Sequence, residues 1–275
     1  MDFAVEELTK KMKLLSTFKS ELNRLFVFEL EDSNKIEAVF YRGDTLCIST
    51  QVGCAIRCPF CLSGSAGLVR NLTYEEILAQ YYLLRDTLPI KRIAVAGIGE
   101  PLMNYSHVIR AFWKFKEEGL KVSFYTTGFP HIHLRELIHI PHNGLTISIH
   151  STKAEKRRKL IPHGGDLNAL IDMLREELPR MSKRKRKKVS LAYLLLKGVN
   201  DSYEDLEEFA KLVRDLGVSA TLLYYNSTGF FETMSKSEYE ERFLYLRGYG
   251  IRVSLSTRFR KDSLGGCGTL VINRC

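Results

Sequence analysis

Cys54-Ala55-Ile56-Arg57-Cys58-Pro59-Phe60-Cys61, which follows the strand-like run Thr45-Leu46-Cys47-Ile48-Ser49-Thr50, is the stretch on which the reading of this chain turns. Its C-x3-C-x2-C spacing puts three thiols on one short loop. Three close cysteines suit a cubane iron–sulfur cluster with one iron left without a protein ligand. A structural zinc loop is the plainer alternative. Zinc normally takes four ligands, often as two C-x2-C pairs, and no second pair exists here. An open iron can chelate the amino and carboxylate groups of S-adenosylmethionine (SAM). An electron from the reduced cluster would then cleave the sulfonium to a 5′-deoxyadenosyl radical.

Around that loop the 275 residues describe an ordinary globular chain, 45% hydrophobic and 27% charged, with room for one large domain or one domain plus an appendage. No apolar run is long enough to span a bilayer. The start, Met1-Asp2-Phe3-Ala4-Val5-Glu6-Glu7, is acidic and lacks the pattern of a signal peptide, so a cytoplasmic location is expected. Six cysteines, three of them together, do not make a secreted disulfide scaffold. A net charge of +9 points to a polyanionic partner. The excess gathers in Arg180-Met181-Ser182-Lys183-Arg184-Lys185-Arg186-Lys187-Lys188 and in Lys153, Lys156, Arg157, Arg158 and Lys159. Such runs are either solvated faces or phosphate contacts, and a site that needs a large substrate favours the latter.

Apolar spacing at Phe3, Leu8, Met12, Leu15 and Phe18 predicts a helix over 2–20. A hairpin is expected at 24–30 and 36–42. From Thr45 onward strands at 45–50, 91–96, 121–126, 144–149, 189–196 and 219–225 alternate with helices at 73–87, 105–118, 131–139, 166–178, 203–216 and 235–248. Thr73 and Glu76 form a capping-box signature. The basic run is expected to loop between the helix ending near Leu178 and the strand at Val189. Six βα units imply an α/β fold with a parallel sheet, a partial (β/α)6 barrel. Residues 1–43 would be a helix-and-hairpin appendage, and 44–275 the barrel with a C-terminal cysteine segment. Right-handed crossovers place the loops after the strands on one rim, where ligands bind.

Several stretches together resemble the radical-SAM adenine methyltransferases of ribosomal and transfer RNA, of the RlmN/Cfr type. They are Thr45–Cys54, Arg70-Asn71-Leu72-Thr73, Gly97-Ile98-Gly99-Glu100-Pro101-Leu102, Ile147-Ser148-Ile149-His150, Leu160-Ile161-Pro162, Lys197-Gly198-Val199-Asn200-Asp201, Leu223-Tyr224-Tyr225-Asn226 and Gly265-Gly266-Cys267-Gly268-Thr269-Leu270. The likeness runs in order from about residue 25 to the end, and the pairing of Cys47 with Cys267 separates this family from others with the three-cysteine loop.

The resemblance implies a [4Fe-4S] cluster on Cys54, Cys58 and Cys61, and SAM held by Gly99, Glu100, Ser148, His150 and Asn226. It implies that Cys267 is the methyl carrier, that Cys47 resolves the adduct through a transient disulfide, and that Glu37 accepts the ring proton. SAM is an electrophilic donor and adenine C2 is electron-poor, which is why a thiolate must carry the methyl first. The implied partners are an RNA substrate, rRNA or tRNA, and an electron donor such as flavodoxin or ferredoxin; a monomer is expected. Taken singly, each residue has a plainer reading: Cys47 a small buried hydrophobe, Cys267 a turn residue, Glu37 a solvated acid, Gly99-Glu100 a glycine-rich turn, His150 a core histidine. A related enzyme with a non-ribosomal or protein substrate is the alternative function, and a non-catalytic zinc-loop RNA-binding module a remote one.

Two departures from the family stand out. Only 46 residues precede Cys47, where the family carries an extra N-terminal domain of several helices. Tyr125 stands where the family has serine after the third barrel strand, and His163 where it has asparagine. Cys275 has no family counterpart.

Overall fold

The structure, a computed structural model, describes residues 9–273. One ten-stranded sheet organises it. Four strands form an antiparallel meander: β1 (Met12–Lys19), β2 (Asn23–Leu30), β3 (Lys35–Tyr41) and β4 (Thr45–Ile48). A side ribbon follows, β5 (Gln51–Gly53) with β6 (Leu68–Asn71). The sheet then continues from β4 through β7 (Arg92–Val95), β8 (Lys121–Thr126), β9 (Gly144–Ser148), β10 (Val189–Leu195), β11 (Ser219–Tyr224) and the short β12 (Val253–Leu255), all parallel. The six expected parallel strands are present, and β12 adds a seventh.

The helix expected at 2–20 is overturned over 12–19; residues 1–8 lie outside the described residues. Residues 12–19 form β1, paired along β2 from Met12 opposite Leu30 to Lys19 opposite Arg24. A bulge between Leu14 and Ser16 breaks the alternation, so the apolar residues fall at a spacing that mimics a helical face. A full edge of β2 to pair with outweighs that weak signal.

The six later helices are where the periodicity puts them. Tyr74–Tyr82 starts in the Thr73–Glu76 capping box, and Tyr203–Leu216 runs from the Ser202 cap to Gly217 at φ +64°. Its buried face (Leu206, Phe209, Ala210, Val213) lies against the sheet, and each large side chain so buried contributes roughly 1.5–3 kcal/mol. Two short helices were not expected, Ala154–Leu160 and Lys183–Arg186. The second lies inside the basic run, which is therefore not the plain loop expected: Ser182 caps it through the Lys185 N–H.

The two faces of the parallel sheet differ. Val122, Phe124, Leu145 and Ile147 are buried on the helix side, whereas Ser123, Tyr125, Thr146 and Ser148 stay partly exposed on the other. A barrel whose interior carried large aliphatic side chains would be packed solid. Here the small and polar residues of the inner face leave a cavity, open at the rim where the strands end.

Candidate active site

The three-cysteine loop hangs between β5 and β6. Cys54 N–H donates to the Gly67 carbonyl at 3.0 Å, and Cys61 N–H closes a turn on the Cys58 carbonyl at 3.1 Å. Gly53 sits at φ +78°, and a Cβ there would lie 2.0 Å from the Gly67 oxygen, so no other residue fits before the first cysteine. Cys54, Cys58 and Phe60 pack against the apolar cluster of Ile56, Leu160, Ile161, Leu194, Leu196 and Tyr225. Burial pushes all three thiols up, Cys54 to about 12, and neighbouring thiols add to the rise at each. Three thiolates in such a pocket call for a strongly cationic group, which the irons of a cluster supply. Among the described residues no three His, Cys, Asp or Glu side chains converge as around a single ion. A donor set of three thiols on one loop fits a cluster with one open iron better than a four-coordinate zinc ion.

The other two catalytic candidates meet in the same cavity. Cys47 projects into it from β4, opposite Val39, and Cys267 enters from the C-terminal segment; both are free thiols. Burial raises Cys47 to about 12, and Cys267 is the next cause. Cys267 is exposed, and its backbone is fixed at both ends: its N–H donates to the Arg260 carbonyl at 3.2 Å, and Asn226 Nδ2 donates to its carbonyl at 2.9 Å. The same Nδ2 reaches the Arg260 carbonyl at 2.7 Å. The glycines beside Cys267 answer to close packing: a Cβ on Gly265 would stand 2.7 Å from Val39, and one on Gly266 2.4 Å from the Asp262 carbonyl.

The meander exists, in effect, to hold this segment. Asn23 Nδ2 donates to the carbonyls of Phe259 and Leu264 at 2.8 and 2.9 Å, and Ser20 donates to Asp262 at 3.0 Å. Glu37 is wholly buried on β3, on the face it shares with Val39 and Tyr41, and its carboxylate accepts the Val271 N–H at 3.0 Å. It is no solvated acid. Leu62 N–H donates to the Gly268 carbonyl at 2.9 Å and Ser63 to the Leu270 carbonyl at 2.7 Å, so the Cys267 segment also lies directly on the cluster loop.

The residues expected around SAM divide into two groups. Ser148, His150 and Asn226 line the cavity. His150 is buried at φ +58° beside Phe60, and its Nδ1 accepts the Leu194 N–H at 3.1 Å, which leaves the proton on Nε2. Burial, then the Arg157 charge, lowers it to about 3, so it is neutral at working pH. Glu100 differs. Its carboxylate, 2% exposed, accepts from Leu102 N–H at 3.1 Å, from the Thr126 hydroxyl, and from the Thr127 N–H and hydroxyl at 2.8 and 2.9 Å. Four protein donors use its lone pairs, and it staples the β7 rim to the β8 rim. Gly99, at φ +109°, packs onto Gln51 and Thr50.

Two cations escaped the sequence reading. Arg157, counted there as part of a basic surface, is buried and donates to the carbonyls of Thr127, Gly164 and Gly165. Arg260 reaches into the cavity with its guanidinium 4.3 Å above the Tyr125 ring. Burial alone would lower it, but the phenols and thiols of Tyr125, Cys267, Tyr41 and Cys47 hold it above its usual value. Only its place before Gly-Gly-Cys could have flagged it. His163 is exposed.

The basic stretches lie on opposite rims. Lys153 and Lys156 follow β9 on the cavity rim, but both pair with Asp205. Residues 180–188 precede β10 and so occupy the other rim, where Lys188 reaches the His142 carbonyl and Arg252 the Lys187 carbonyl.

The chain is similar to known proteins over most of its length. The model of the Radical SAM superfamily matches residues 48–213. A probable RNA methyltransferase of Pseudomonas aeruginosa is 32% identical over 90% of this chain and 72% of its own length. A probable dual-specificity RNA methyltransferase RlmN of Pseudothermotoga lettingae is 32% identical over 94% of this chain and 79% of its own. Among solved structures, a radical SAM methyltransferase from Sphaerobacter thermophilus superposes with a TM-score of 0.85 at 26% identity, over 98% of this chain and 86% of that one.

Proposed function

Since the chain belongs to the radical SAM superfamily and, within it, to the RlmN-like RNA methyltransferases, we propose that it methylates an adenine carbon of rRNA or tRNA, C2 rather than C8, through Cys267. It is a SAM-dependent methyltransferase whose cofactors are a [4Fe-4S] cluster and SAM. Cys54, Cys58 and Cys61 would hold the cluster, and Ser148, His150 and Asn226 border the space for SAM, while Glu100, its lone pairs already bonded within the protein, braces the β7 and β8 rims. Together cluster and SAM supply a methyl group, an electron and a hydrogen-abstracting adenosyl radical.

The chain's residues divide the rest of the work. The Cys267 thiolate takes the methyl from the sulfonium and, after losing one hydrogen, carries it as a methylene radical to the ring carbon. Glu37, which also tethers Val271, takes the ring proton, and the adduct radical gives one electron back to the cluster. Cys47 attacks the sulfur of Cys267, the carbon–sulfur bond breaks with its electron pair on carbon, a proton completes the methyl group, and a Cys47–Cys267 disulfide remains for an external reductant. His150 stays neutral and offers an Nε2–H donor. The electron donor is of the flavodoxin or ferredoxin kind, and the enzyme works as a cytoplasmic monomer; no helix among the described residues is long and apolar enough to cross a membrane.

The observation that carries this reading is that Cys47 and Cys267 face one cavity while the Cys267 segment is hydrogen-bonded to the cluster loop. Mass spectrometry of the Cys267 peptide, after anaerobic cluster reconstitution and incubation with SAM, tests it. A gain of one methyl on Cys267 is expected. A protein that cleaves SAM but leaves Cys267 bare would refute the two-stage mechanism.

A further inference from the structure

Arg260 is the cationic side chain that lines the cavity, and the chemistry above leaves it unused. Its half-buried guanidinium lies over the Tyr125 ring and makes no ion pair or side-chain hydrogen bond among the described residues. One face rests on the aromatic ring, and its planar fork of donors remains unspent on protein. The cations near it in the chain are otherwise employed: Arg258 lies over Phe259, and Lys261 over Tyr224 and Tyr239.

Arg260 is also locked to the methyl carrier. Its carbonyl accepts from Cys267 N–H, and Asn226 Nδ2 bonds the carbonyls of both residues. Both residues line the same cavity, so a ring held by Arg260 would lie in the space that Cys267 faces. The rest of the wall on that side is aromatic, Tyr41, Tyr125 and Phe259, which suits a planar ring better than a phosphate. Unstacked bases are commonly held by aromatic faces and guanidinium planes. Adenine's ring nitrogens accept hydrogen bonds, and the carbons between them are the reacting positions.

We propose that Arg260, braced by Tyr125, is the residue that recognises the target adenine, donating an N–H to a ring nitrogen. Resting on the function proposed above, this assigns a base-holding role to a residue that stands beside Tyr125, itself a departure from the family's serine. A hydrogen bond from a cation also draws electron density from the adjacent carbon, which favours addition there.

Arg260→Met, which keeps the length, and Arg260→Lys, which keeps the charge but not the planar fork, test the proposal in the full reconstituted chain. Two stages are read separately: methyl loading on Cys267 with SAM alone, by mass spectrometry, and single-turnover transfer from loaded protein to unmodified rRNA and tRNA. A third readout, fluorescence of a single-stranded RNA hexamer carrying 2-aminopurine, reports stacking without turnover. The expected result is loading within about twofold of wild type, transfer reduced at least about tenfold in both variants, and weaker quenching of the 2-aminopurine. Unchanged transfer overturns the proposal, and so does a parallel loss of loading, which would assign Arg260 to SAM or to the thiol. Wild-type protein that never loads Cys267 overturns the underlying function and this proposal with it.

Discussion

Asn226 decides where Cys267 sits, because one amide nitrogen holds the carbonyls of Cys267 and Arg260 together. Asn226→Ala removes both bonds and leaves the Cys267 carbonyl without that donor, a loss on the order of 1.4 kcal/mol or tenfold in rate. Methyl loading of Cys267, followed by mass spectrometry over time, is expected to slow by about that factor; an unchanged rate would show that the segment is held by its other ties. Gly53 sets a sharper limit. Gly53→Ala meets both a positive φ, which costs about 1–3 kcal/mol, and the Gly67 oxygen at 2.0 Å. The cluster loop cannot close on β6, so iron bound per chain after anaerobic reconstitution should fall well below wild type; a full complement of iron would contradict the argument. The cysteines were legible in the sequence because their chemistry demands both residue type and spacing. Arg157 and Arg260 were not, since a charge reads as surface until the fold shows three carbonyls around one guanidinium and a tyrosine ring beneath the other.

At the scale of elements, alternation and caps marked out the six βα units, and they failed at β1, where a bulge imitated helical spacing. The failure touches function, because the meander holds the Cys267 segment through Asn23, Ser20 and Glu37. What the periodicity of β2 and β3 could not carry is that their ends reach residues more than two hundred positions away. The connection before β9 yields a pH prediction. His142 is buried with Nδ1 unpartnered, and burial, with Lys188 and Lys185 nearby, lowers it to about 4. The unfolded chain takes up that proton near 6.5 and the folded one only near 4, so stability falls as pH drops through that window. His142→Gln should make the urea midpoint less sensitive to acid between pH 7 and 5, by on the order of 1–2 kcal/mol. His150, lowered to about 3, leaves a residual acid sensitivity common to both proteins. Equal losses in wild type and variant would mean that His142 takes no part.

Across the whole molecule the parallel sheet separates two rims, and sequence order alone tells them apart: a segment after a strand joins the cavity rim, one before a strand the other. By that rule residues 183–188, just before β10, could be placed far from the cysteines, at roughly 20 Å along a seven-residue strand. What sequence order could not show is that the cations of the cavity rim are mostly spent, Lys153 and Lys156 on Asp205 and Arg157 on backbone carbonyls. Lys183, Arg184, Lys185 and Lys187 are exposed and have no acidic partner among the described residues. A substrate large enough to pass from the cavity mouth round to the opposite rim would meet them there, through phosphates and without regard to sequence. Reversing Lys183, Lys185 and Lys187 to Glu should therefore leave Cys267 loading intact. Affinity for rRNA or tRNA should fall, and the slope of log affinity against log salt should flatten by about two to three. Titrations at several salt concentrations check this. An unchanged slope would return the run to solvent and confine the RNA to the cavity rim, whereas a loss of loading would mean that the two rims communicate through β10.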